Sequence, residues 1–177
     1  MRNTLLFTTV LAATNVSQAA LVSISQIVTN NTPTTQTYNF SATNGLGVLT
    51  TPAYMRGSVS IALSDFNRDG AILSADSGML YTAWVDSVKV QSMPNTLFTL
   101  VTPVNGGNTY TNSFGWEYLK SSLPASTGIE MRFNFRLSPG DQVAISGTFE
   151  VSSVPAPSGV AALIATAFLG FRRRRNV

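Results

Sequence analysis

The sequence predicts an all-β protein, an antiparallel β-sandwich or jelly roll, with an N-terminal signal-peptide helix and a short C-terminal membrane helix outside it. Three observations predict this. Residues 129–137, IEMRFNFRL, place Ile129, Met131, Phe133, Phe135 and Leu137 on one face and Glu130, Arg132, Asn134 and Arg136 on the other. No segment of the middle sustains a 3.6-residue apolar repeat. Short apolar runs recur at intervals of roughly ten residues, separated by Gly, Pro and Asn.

The elements follow in chain order. Residues 1–19 carry one basic residue, Arg2, then an apolar stretch, then small residues Ser17 and Ala19 at −3 and −1 of a cleavage point. That order is expected of a secretory signal peptide cut after Ala19. Residues 20–153 form the β domain. Strands are expected at residues 21–28, 36–41, 58–63, 79–90, 97–104, 109–119, 129–137 and 142–151. Asn105-Gly106-Gly107-Asn108 is expected to close a hairpin between two of them. Ser138-Pro139-Gly140-Asp141 suits a type II turn, so the strands on either side are expected to pair as a hairpin with one shared apolar face. Residues 154–177 form a tail. Pro155 and Pro157 stiffen it, residues 160–171 are apolar apart from Thr166 and Gly170, and Arg172, Arg173, Arg174 and Arg175 follow.

Charge separates the tails from the body. The whole chain carries a net +3. Between Ala20 and Val154, six basic residues meet eight acidic ones, which leaves −2. The basicity therefore belongs to the ends, and the body has no electrostatic footing for nucleic acid. The 177 residues include no His and no Cys. This excludes His- or Cys-based zinc sites, iron–sulfur clusters, thiol nucleophiles, Ser-His-Asp triads and disulfides. The body is expected to stand on burial alone.

The apolar part of the tail, as a helix, would be about 18 Å long against a hydrocarbon core of about 30 Å. It makes a marginal span, and the four arginines are expected to stay on the cytoplasmic side. Val154-Pro155-Ala156-Pro157, a short apolar helix and a terminal arginine cluster together resemble the PEP-CTERM sorting signal. Here Ala156 stands where that signal usually has Glu. The resemblance covers about 22 residues and implies recognition by an exosortase. It also implies a transient inner-membrane anchor in a Gram-negative cell, then life at the cell surface or in an exopolysaccharide matrix. The expected role is structural or adhesive, without enzymatic activity.

Inside the body, DFNRDGAILSAD spans residues 65–76. Asp65, Asn67, Asp69 and Asp76 fall on positions 1, 3, 5 and 12 of an EF-hand-type loop, with Gly70 at 6 and the Ala71 carbonyl at 7. The pattern resembles the calcium loop of dockerin-like modules, and calcium is the one cofactor it implies. The alternative is a plain hairpin with Asn67-Arg68-Asp69-Gly70 at its tip. A carbohydrate-binding module is the second functional reading, with Trp116 and Tyr118 stacking on exopolysaccharide. Tyr81, Trp84 and Tyr110 are further members of that aromatic set, although Trp84, inside an apolar run, is expected in the core. A glycoside hydrolase would have to rely on Glu117 and Glu130, whose spacing does not single them out.

Overall fold

The computed structural model describes residues 19–45, 53–76, 78–94, 96–119 and 128–153, with the Trp116 side chain outside that set. Among them are ten strands and no helix. These are β1 (Ala19–Thr29), β2 (Gln36–Gly45), β3 (Ala53–Ser64), β4 (Ala71–Ala75), β5 (Tyr81–Val85), β6 (Val88–Met93), β7 (Thr99–Thr102), β8 (Gly107–Tyr118), β9 (Gly128–Leu137) and β10 (Gln142–Ser153). The described residues are all-β and antiparallel. The expected signal-peptide and membrane helices lie outside the described residues.

One sheet has the order β1-β10-β3-β8. The other runs β6-β5-β9-β4-β7, with β2 on β9 as well. Register explains the second sheet. β2 pairs along the full length of β9, from Gln36↔Leu137 to Gly45↔Gly128. On the opposite side, β4 takes residues 135–137 of β9 and β5 takes residues 129–133. β4 and β5 thus lie end to end on one track. β7 pairs β4 and β6 pairs β5, so β7 and β6 flank that track. Each sheet then reduces to four tracks.

Period-two patterning puts the apolar faces of both sheets into one core. Ile61, Leu63, Val143, Ile145 and Phe149 come from the first sheet, and Leu73, Tyr81, Met131, Phe133 and Phe135 from the second. All ten are at most 2% exposed. At about 25 cal/mol per Å² of apolar surface, burial of this kind supplies the drive that the absent disulfides do not. Tyr81 crosses the layer. Its ring meets Phe133 edge-on at 5.6 Å, and its hydroxyl donates to the Thr148 carbonyl at 3.0 Å. Burial pushes the phenol's pKa up.

Three expectations about pairing are corrected. The strands around Ser138–Asp141 do not form a hairpin. β9 belongs to one sheet and β10 to the other, so their apolar faces meet across the core instead of side by side. The carbonyls of Leu137 and Ser138, which a hairpin would offer to β10, accept from Asn30 Nδ2 at 2.9 and 3.0 Å. Asn105-Gly106-Gly107-Asn108 likewise carries the chain from β7 in one sheet to β8 in the other. The third concerns residues 79–90, expected as one strand. They are β5 and β6, folded back at Asp86-Ser87 with positive φ at both residues (48° and 67°). That is a two-residue turn without the Asn-Gly or Asp-Gly that usually marks it. The Asp86 carboxylate accepts from the Gly128 amide at 3.0 Å and holds the turn against β9.

Four connections switch sheets at the same end of the sandwich: β1–β2, β3–β4, β7–β8 and β9–β10. The register shows why they meet. Thr29, Gln142, Ser64 and Gly107 sit in one row across the first sheet, and Gln36, Leu137 and Leu73 in one row across the second. Asn30, Asp65, Asn67 and Asp141, each with side-chain hydrogen bonds, lie in these four loops.

Candidate functional site

The crossover end is tied together by side chains that stand in for backbone ladders. Asp65, just after β3, accepts from the amides of Arg68 at 2.8 Å, Gly70 at 3.1 Å and Asn105 at 2.6 Å. It therefore shapes its own loop and holds the β7–β8 loop beside it. Desolvation raises its pKa, but these amides outweigh it and hold the carboxyl below the usual range. Asn67 Nδ2 donates to the Pro139 carbonyl at 2.9 Å and joins the β9–β10 loop. Gly140 sits at φ 74° directly against Asn67, where a Cβ would come within 2.7 Å of Nδ2. Left-handed backbone and close approach both require glycine there.

The expected calcium loop is not formed as a contiguous EF-hand loop, and the hairpin alternative also fails. Residues 65–70 are a crossover loop, and Ala71, expected to offer its carbonyl at position 7, is the buried first residue of β4, paired with Thr102. Asp76, expected at position 12, directly follows β4 and is ion-paired with Arg136. In its place stands an acid from the β9–β10 loop. Carboxylate oxygens of Asp65, Asp69 and Asp141 lie within 4.8 Å of one another. Asp141 is fully buried. The Ser138 hydroxyl donates to its Oδ2, while its Oδ1 is buried without a hydrogen-bond partner. Burial raises its pKa, the Asp65 and Asp69 charges push the same way, and the Ser138 hydroxyl and Phe66 amide oppose them. None of the salt bridges among the described residues involves these three acids. Nothing in the sequence marks Asp141, because the contiguous pattern from Asp65 ends on Asp76.

A second concave region lies on the outer face of the β2–β9–β5 sheet. Trp84 was expected in the core and is not there; Tyr81, expected in an aromatic platform, is. The pairs Tyr81↔Phe133, Ala83↔Met131 and Val85↔Ile129 share a face with the buried residues of β9. Thr82 and Trp84 therefore point outward, although Trp84 is larger and more apolar than Ala83. The Trp84 indole is half-buried in a cleft of about 680 Å³, lined also by Asn39, Ser41, Thr82, Lys89 and Asn134. The Arg132 guanidinium lies 4.6 Å from the indole centroid and is held by two hydrogen bonds to Glu130, at 2.6 and 2.7 Å. Buried Asn134 Oδ1 has no hydrogen-bond partner. The alternation of β9 would have been the signal for this face, had its pairing with residues 81–85 been visible.

The remaining expected site residues are dispersed. Ala19 is the first residue of β1, opposite Ser152. Tyr118 ends β8, is 52% exposed and meets Tyr54 edge-on at 5.8 Å. Trp116 lies on β8, with its side chain outside the described set. Tyr110 packs on Phe98 at 4.6 Å. Glu117 on β8 accepts from Gln91 at 3.0 Å, while Glu130 on β9 belongs to the other sheet and pairs with Arg132. The two glutamates are not brought together as a pair. Val154, Pro155, Ala156, Pro157 and Arg172 to Arg175 lie outside the described residues.

No family model matches this sequence, and no curated protein matches it. Among solved structures, it is similar to dimeric latent PorU from Porphyromonas gingivalis, at 12% identity and TM-score 0.37, over 80% of this chain and 13% of that one. It is similar to a structure of infectious bursal disease virus Gx strain, at 11% identity and TM-score 0.36, over 84% of this chain and 43% of that one. A Broad Bean Stain Virus structure is similar at 14% identity and TM-score 0.29, over 83% and 89%. The chain thus spans less than half the length of the first two. Likenesses of this depth carry no argument about function.

Proposed function

We propose that this chain is an exported surface or extracellular-matrix protein, processed by an exosortase-type enzyme near Pro155-Ala156-Pro157, with a structural or adhesive role and no enzymatic activity. The observation that carries the reading is the order of the tail: Pro-Ala-Pro, a short apolar segment, then Arg172 to Arg175. β10 ends at Ser153, so in sequence the tail follows the last strand of the body directly. Within this reading the body is a jelly roll. That inference rests on the strand order, with β1, β10, β3 and β8 on one sheet and β2, β9, the β4–β5 track and the β6–β7 track on the other.

The intact mass of the protein recovered from its native host tests the proposal. Loss of residues 1–19 together with the apolar and arginine segments is the expected result. A mass equal to the full 177 residues would overturn it. Substituting Ser for all four of Arg172 to Arg175 removes the charges that resist translocation. The processed form should fall to a small minority on a mass-calibrated gel, and undiminished processing would remove the arginines from the mechanism.

The cleft at Trp84 favours the second reading, carbohydrate binding. A partly exposed indole with a guanidinium beside it offers apolar surface, and the amides and hydroxyls around it match sugar hydroxyls in kind. Affinity electrophoresis through the host's exopolysaccharide discriminates between surfaces. If the cleft binds, Trp84→Ala should abolish retardation while Tyr118→Ala leaves it intact. The opposite result assigns binding to the β8 aromatics, and no retardation of the unaltered protein leaves the structural reading standing.

A further inference from the structure

We propose that Asp65, Asp69 and Asp141 form a calcium site that joins sheet-switching loops at one end of the sandwich. Three carboxylates from two separate loops converge there, two from the β3–β4 loop and one from the β9–β10 loop, with oxygens within 4.8 Å. The second observation is Asp141 itself. It is fully buried, and its Oδ1 has no hydrogen-bond partner. A fully buried carboxylate with one unpartnered oxygen, set beside two other acids, is an expensive arrangement for a protein to keep without a cation, and buried unpartnered polar atoms call for a specific explanation.

The donor chemistry selects the ion. All three groups are hard carboxylate oxygens, and the chain has no His or Cys, which disfavours zinc and other metals that prefer nitrogen or sulfur. Calcium takes six to eight oxygens at flexible geometry, so carboxylates from separate loops can be completed by carbonyls and water. Magnesium demands near-ideal octahedral geometry and usually keeps most of its waters with one or two carboxylates. A three-carboxylate set fits calcium better. The ion would do what a disulfide does elsewhere. Asp65 already holds Asn105 of the β7–β8 loop at 2.6 Å, and the Asp141 carbonyl accepts from Asn30 of the β1–β2 loop at 2.9 Å. A cation here would therefore brace all four crossovers. This site differs from the contiguous 65–76 pattern and does not depend on export or on the tail.

Full-length protein, stripped with EDTA and dialysed, is titrated with calcium chloride by calorimetry, and its melting is followed with and without the ion. We expect one site per chain and a melting temperature raised by about 5 °C or more at saturation. Asp69→Asn, on an exposed residue, should weaken calcium binding at least tenfold without unfolding the protein. Asp141→Asn should do the same, and Asp76→Asn should leave binding unchanged. Should Asp141→Asn fail to fold, Asp69→Asn carries the test. Magnesium chloride should bind at least tenfold more weakly. Calcium with no effect on heat or melting overturns the site, as does retained binding in Asp69→Asn. Loss of binding in Asp76→Asn returns the ligand set to the contiguous loop, and equal response to magnesium overturns the choice of ion.

Discussion

Asn30→Asp should cost about 4 kcal/mol of folding stability at neutral pH, more than Asn30→Ala at about 2–3 kcal/mol. Asn30 is 0% exposed and lies directly after β1. Its Nδ2 has two hydrogens and faces three carbonyls, those of Leu137 at 2.9 Å, Ser138 at 3.0 Å and Thr34 at 2.9 Å. Its Oδ1 accepts from the Thr32 amide at 3.1 Å and hydroxyl at 2.7 Å. The main chain of the same residue bonds in both directions to the β9–β10 loop, donating to Asp141 at 2.9 Å and accepting from Gly140 at 2.7 Å. One residue thus ties the start of the β1–β2 loop to the β9–β10 crossover. Alanine leaves the carbonyls without donors. Aspartate is nearly isosteric but turns a donor into a charged acceptor facing them. Urea unfolding of the two variants measures the difference. Aspartate within 1 kcal/mol of the unaltered protein would mean that this network is not what fixes the crossover.

How far the sequence could be read follows from what period-two alternation encodes. It states which side chains share a face. It does not state which strand that face meets. Residues 129–137 and 142–151 were legible as strands to within two residues at each end. Their neighbourhood was not, because a proline-glycine turn between two alternating runs fits a hairpin and a sheet crossover equally well. The difference lies in Asn30, over a hundred residues away, inside a polar stretch with no local signature. Trp84 was misplaced for a related reason. In YTAWV, side-chain size points one way and the β9 register the other, and tertiary pairing wins. The acid cluster shows the same limit. The linear pattern found Asp65, Asn67 and Asp69, then continued to Asp76 because a contiguous motif has to. The fold instead supplies Asp141 from another loop and commits Asp76 to Arg136.

Gly147→Val sets two physical effects against each other, and packing should win. Gly147 lies within β10 on its inward face, between Ile145 and Phe149. By propensity alone, valine in place of glycine strengthens a strand by up to about 1 kcal/mol. But a Cβ at this position would sit 2.7 Å from Phe133 Cζ, 3.0 Å from Cε2 and 3.2 Å from the Ser58 carbonyl. Phe133 cannot easily retreat. It is 1% exposed, and Tyr81 closes on it edge-on at 5.6 Å while being anchored to Thr148. Gly57 on the neighbouring β3 leaves similar room for the Tyr81 hydroxyl, 2.8 Å from where its Cβ would be. The two glycines form a notch in one sheet that receives Phe133 and Tyr81 of the other. Alanine at 147 should therefore cost about 2 kcal/mol and valine about 4 or more, against the propensity scale. Phe133→Leu should cost less in the Gly147→Ala background than alone, because the smaller side chain yields the space that alanine needs; denaturant unfolding of the four proteins forms the cycle. If Gly147→Val melted at or above the unaltered protein, the sheets would not interlock at this point, and the sandwich would be held by apolar area without this fit of ring into notch.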